Sequence, residues 1–134
     1  TTDMVELANA GHQPALLKQG DNFTEFNSSS APLAVVGQKN VNTYKLESFQ
    51  LNGGRVYCFT DGFSECLDNN KEEIGIEGVK ELLRRHQNSK LKVELNNATE
   101  EIRQKSLKTE YKEKGIKGDV DILDDDLTII GIGK

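Results

Sequence analysis

The sequence predicts an α+β fold, in which antiparallel strands come first, a helical pair follows and one strand closes the chain. Three observations predict it. Short segments of strand-like pattern fill the first sixty residues, and a helical period sets in only after Asp61-Gly62. Two runs, Val56-Tyr-Cys-Phe59 and Leu127-Thr-Ile-Ile-Gly-Ile132, are apolar on both faces, as strands covered on each side of a sheet are. Strands and helices are also segregated rather than alternating, which argues against a parallel βαβ fold.

In chain order, Met4 to Ala10 reads as a strand closed by Gly11, and His12-Gln13-Pro14 as a turn. Ala15-Leu16-Leu17 opens a second strand that ends near Gly20-Asp21, and Phe23 to Phe26 alternates as a third. Asn27 to Pro32 is a loop by composition. Leu33-Ala-Val-Val36 is apolar but brief, and a polar connection runs from Gly37 to Asn42. Tyr44 to Phe49 alternates cleanly and predicts a half-exposed strand, paired with residues 55–60 as a hairpin through the turn at Gln50 to Gly54. Residues 63–67 suit a single helical turn. Ile76, Val79, Leu82 and Leu83 lie at helical spacing, with Glu77, Lys80, Glu81, Arg84 and Arg85 opposite them. A second helix is expected from about Lys90 to about Tyr111, with Leu91, Leu95, Ala98, Ile102 and Leu107 inward and a solvated face of Glu and Lys. Gly115 and Gly118 end it. The last run, from Leu127, reads as a second central strand.

The length of 134 residues suits one domain with one core. A net charge of −5, without a basic block beyond Arg84-Arg85, speaks against nucleic acid and against direct contact with an anionic membrane. Cys58 and Cys66 form neither a disulfide framework nor a zinc spacing, so a reducing cytoplasm fits. No segment approaches a membrane span or a signal peptide. The start at Thr1, without an initiator methionine and directly in strand-like sequence, reads as a piece of something longer.

Both doubly apolar strands carry acids at one end. Asp61 follows the first, and Asp124-Asp125-Asp126 precede the second. Asp-Gly is also a common exit from a strand, so the first pair alone defines nothing. If the two strands are antiparallel neighbours, however, the acids meet at one rim. Carboxylates gathered there, with no His or Cys beside them, suit a hard cation such as Mg²⁺ or Mn²⁺. Paired acid–base chemistry on a sugar needs an aromatic cleft, and this chain has no Trp and 6% aromatics.

Five segments then occur in a telling order: Ala8-Asn-Ala-Gly-His-Gln-Pro-Ala-Leu-Leu17, Ala31-Pro-Leu33, Arg55-Val-Tyr-Cys-Phe-Thr-Asp-Gly-Phe-Ser-Glu65, Gly75-Ile-Glu-Gly78 and Asp125-Asp-Leu-Thr128. In this order they resemble the bacterial PPM-type serine/threonine phosphatases, PP2C-like enzymes of the SpoIIE/RsbU branch, over nearly the whole chain. The resemblance implies a β-sandwich flanked by helices, here without its N-terminal part. It implies a two-metal site holding Mn²⁺ or Mg²⁺ and hydrolysis of phosphoserine or phosphothreonine by a metal-activated water. Asp61 and Asp125 match the family's metal ligands, while Asp126 and Thr128 complete the second motif and are expected to orient the loop. Asp124 falls outside the motif.

The sequence departs from the family pattern in three ways. The upstream Asp-Gly whose acid bridges both metals is absent, as are the two helices that follow it, and Ala34 stands where a Gly is usual. The chain is therefore expected to hold at most half a metal site, with weak divalent binding and little phosphatase activity in isolation. The resemblance implies as partner a phosphorylated regulatory protein, such as an anti-anti-sigma factor. Sheet edges left open would favour a homodimer or strand exchange. The alternative is a non-catalytic phosphatase-like module that binds a partner-switching protein. A Ca²⁺-binding module fits less well, because the acids lack a spaced oxygen-ligand loop. His12 reads as a turn residue and His86 as a cation at a helix end. Glu65 reads as a brace and Arg55 as an edge charge.

Overall fold

The computed structural model describes residues 3–29, 32, 44–114 and 126–133, and for 107–114 the backbone. The expectations for Leu33 to Val36, Leu107, Gly115, Gly118, Asp124 and Asp125 lie outside the described residues and side chains. Among the described residues six strands and three helices run β1 (Met4–Leu7), β2 (Ala15–Gln19), β3 (Asn22–Phe26), β4 (Glu47–Gln50), β5 (Arg55–Phe59), α1 (Asp61–Ser64), α2 (Gly75–Arg85), α3 (Leu91–Lys114) and β6 (Ile129–Ile132). The chain forms two compact units, one of Thr1–Cys58 with Gly131–Lys134, the other of Phe59–Ile130.

In the first unit β1 and β4 make an antiparallel pair, while β2 lies between β3 and β5 in a sheet ordered β3-β2-β5-β6. Strand alternation decides what each face buries. Leu17 stands opposite Val56, and these two with Ala15 form a buried cluster. Leu7 and Phe49 of the two-stranded sheet, and Phe26 and Cys58 of the larger one, pack against it. The Phe26 and Phe49 rings stack at 4.4 Å between centroids. Two sheets thus share one apolar layer, as in a sandwich. One residue along, Leu16 and Tyr57 point to the opposite face and are also fully buried, which explains why this part of β5 is apolar on both sides.

Two expectations are corrected here. The strand before the Gln50 to Gly54 turn does not form a hairpin with β5. It pairs with β1, Val5 opposite Phe49, and the Leu51 N–H extends that ladder to the Asp3 carbonyl at 2.8 Å. A central strand has two edges, and β2 and β6 occupy both edges of β5. The turn therefore carries the chain from one sheet to the other, placing Phe49 and Leu51 over the shared layer. Nor is the last strand central. Among the described residues β6 ends the sheet, and Ile130 and Ile132 are 58% and 51% exposed.

The second unit follows the helical pattern. Val79, Leu82 and Leu83 of α2 and Ala98 and Ile102 of α3 are buried, and α2 packs on both α1 and α3. The reading of the α3 acids as a solvated face fails at Glu94, which is fully buried. Its carboxylate turns back to accept the Asn88 N–H at 3.0 Å, satisfying a donor ahead of the helix that has no partner within it. At the C-terminal end of α2, Arg85 and His86 both reach Glu101 of α3, at 2.9 and 2.5 Å.

Candidate functional site

The site lies where β5 becomes α1. Thr60 is still extended, at φ −78° and ψ 161°, and Asp61 opens the helix. The Thr60 carbonyl accepts the Phe63 N–H at 3.1 Å, and the Asp61 carbonyl accepts from the Glu65 N–H and the Ser64 hydroxyl at 2.8 and 3.1 Å. Gly62 and Phe63 are buried, while Asp61 is exposed. Its main chain is held firmly, and its carboxylate faces water.

The same corner meets the last strand. The Thr60 N–H donates to the Thr128 carbonyl at 3.0 Å. Its hydroxyl donates to the Asp126 carbonyl at 2.7 Å and accepts the Thr128 N–H at 3.0 Å. The end of β5 thus lies beside the start of β6, and the neighbouring strands run in opposite directions. Asp61 and the Asp126–Thr128 segment occupy one corner although they lie far apart in sequence. Asp125 lies outside the described residues; its covalent neighbour Asp126 and the motif's Thr128 are both held to Thr60 through their main chains. Sequence reading passed over Thr60. The available signal was a Thr immediately before a helix start, a position where a hydroxyl usually caps.

Oxygen donors of this kind fit a hard divalent cation rather than zinc. Among the described residues no three His, Cys, Asp or Glu gather closely enough to hold a metal. Neither cysteine offers a thiolate. Burial pushes the Cys58 thiol up. It does the same at Cys66, outweighing the Ser106 hydrogen bond and the Lys105 charge. Beside the corner, Leu91, Leu95 and Thr99 of α3 and residues 127–129 line a groove of about 440 Å³.

The other candidates fall into structural positions. His12 is exposed, its N–H bound to the Asn9 side-chain oxygen at 3.0 Å. The Asn9 amide donates in turn to the carbonyls of Gln13 and Phe26 at 2.9 and 3.2 Å. The first motif therefore folds around a buried asparagine, which sequence reading did not single out. His86 ends α2 and engages Glu101. Glu65 is exposed, and its N–H closes the α1 turn. Arg55 opens β5, half-buried.

The chain thus combines two apposed antiparallel sheets with helices, and sets Asp61-Gly62 at the end of one strand beside Asp126 to Thr128 at the start of its neighbour. The chain belongs to the Stage II sporulation protein E (SpoIIE) family, whose model matches residues 1–133. Among solved structures it is similar to the crystal structure of the RsbU and RsbW domains of Rv1364c from Mycobacterium tuberculosis. That similarity has a TM-score of 0.55 and 18% identity, and covers 98% of this chain. This chain spans 32% of that one. A search of curated proteins returns no match.

Proposed function

We propose that this phosphatase-type domain serves metal-dependent hydrolysis of phosphoserine or phosphothreonine on a regulatory protein, with Asp61 and Asp125 sharing one Mn²⁺ or Mg²⁺. The observation that carries the reading is the Thr60 junction, which brings the Asp61 corner beside Asp126 and Thr128. When bound, such an ion lowers the pKa of a coordinated water and offsets phosphoryl charge. The chain's own residues hold the Asp61 corner beside the main chain of Asp126 and Thr128. Thr60 anchors the second motif, and α1 fixes the Asp61 main chain. Asp126 and Thr128 orient the loop.

Asp61-Gly62 is the sole Asp-Gly pair in the 134 residues. The chain by itself therefore binds divalent ions weakly and releases phosphate slowly, and full activity belongs to a protein that also supplies a bridging acid. The same observation favours a second reading, a non-catalytic module that binds a partner-switching protein. The partner class proposed in either case is a phosphorylated regulatory protein of the anti-anti-sigma type. It is supported by the similarity to an RsbU domain that shares a polypeptide with an RsbW domain. A cytoplasmic setting goes with this partner, and among the described residues no helix is long and apolar enough to cross a membrane.

Calorimetric Mn²⁺ titration of wild type, Asp61→Asn, Asp125→Asn and the double variant tests the shared site. Each single variant is expected to lose about tenfold or more in affinity, and the double little further, because one ion needs both ligands. Wild-type affinity retained in either single variant refutes the site. Release of phosphate from a phosphoserine peptide separates the enzymatic reading from the binding one.

A further inference from the structure

We infer that Thr60 is a positioning residue that sets the spacing between Asp61 and the Asp126-Leu-Thr128 segment by extending the β5–β6 ladder with its side chain; the inference rests on the proposed metal site. Thr60 stands at the N-cap of α1, where a threonine hydroxyl commonly accepts an N–H from the first helical turn, worth about 1 kcal/mol. No such cap bond forms. The hydroxyl is turned to the distant segment instead, donating to the Asp126 carbonyl at 2.7 Å and accepting the Thr128 N–H at 3.0 Å.

The reason lies in the change from strand to helix. In an antiparallel ladder, every second pair of facing residues exchanges two main-chain hydrogen bonds. The Thr60 N–H makes one, to the Thr128 carbonyl. The reciprocal bond would need the Thr60 carbonyl, but that group accepts the Phe63 N–H as α1 begins. The Thr60 hydroxyl takes its place as acceptor for Thr128, and its own proton ties down the carbonyl of Asp126. The pairing is thereby carried one step past the end of β5, to the residue covalently joined to Asp125.

One group must donate and accept at once, and a hydroxyl does both. An ionised carboxylate could only accept, and an alkyl group could do neither. Ser is thus the one-atom-smaller substitute that keeps the function. Val keeps the shape and loses it.

Thr60→Val and Thr60→Ser test the inference in this chain, with two readouts. Without metal, amide hydrogen exchange at Thr128 is expected to speed up about three- to tenfold in Thr60→Val, the range of one net hydrogen bond, and to stay near wild type in Thr60→Ser. Mn²⁺ affinity is expected to fall by a similar factor in Thr60→Val and to be kept in Thr60→Ser. Thr60 is half-buried and the groups it holds are exposed, so water can replace the lost bonds and the fold persists. Unchanged Thr128 exchange and unchanged affinity in Thr60→Val overturn the inference. So does equal damage from Ser and Val, which would make the methyl group the important part. If wild type takes up no Mn²⁺, the metal reading fails, while the exchange data still decide whether Thr60 holds the loop.

Discussion

Gly11 shows how much one position can hold. Its φ of +82° lies in the left-handed region, and a Cβ there would collide with the Pro32 ring. Its N–H donates to the Ser28 hydroxyl at 2.6 Å, so the turn between β1 and β2 is tied to the loop after β3. Gly11→Ala meets strain and collision together, and is expected to cost about 1–3 kcal/mol in urea unfolding. Asn9→Ala, which leaves the His12 N–H and two carbonyls without their partner, should cost a similar amount. Both glycine and asparagine belong to the segment that resembles the phosphatase family. At these two positions the motif is explained by folding.

The helices show why local rules need their neighbours. Replacing a helical glycine by alanine ordinarily stabilises by about 1 kcal/mol. In α2 a Cβ on Gly78 would collide with the Cβ of Ile74, next to the helix start. Gly78→Ala is therefore expected to lower stability, as read by the thermal midpoint. A rise in the midpoint would show that Ile74 can step aside. At the start of α3, Glu94 is buried and accepts the Asn88 N–H. Truncating it to Ala removes that acceptor and leaves a cavity, with an expected loss of about 1–3 kcal/mol.

Across the molecule, the acid limb of stability should report the link between α2 and α3. Burial alone would raise the Glu101 carboxyl. Hydrogen bonds from Lys105 and His86, with the charges of Lys105 and Arg85, outweigh it and hold the group below its ordinary value of 4.5. A carboxyl lowered in the folded state contributes fully above the unfolded value, and the contribution is lost as pH falls through the folded one. Unfolding free energies of wild type and Glu101→Gln from urea titration are thus expected to differ most at neutral pH, by about 1 kcal/mol. The gap should close as pH falls below 4.5 and through the lowered folded value. A gap that persists at the acid end would remove Glu101 from the account.

Residue pattern alone determined the kinds of element and the apolar inward positions of α2, because amphipathic period and apolar runs are local properties; Lys80, read as facing away from them, is buried as well. It also drew attention to Asp61 and to the acids before the last strand, since an Asp beside a buried strand is visible in a line of text. Which strands pair was decided by tertiary structure. Cleanly alternating β4 would suit a hairpin, yet β5 has only two edges and both are occupied. Burial of Glu94 depends on a neighbouring loop amide, and Thr60 acts on residues more than sixty positions away. Pairing and hydrogen-bond partners of this kind depend on distances in space that no local pattern contains.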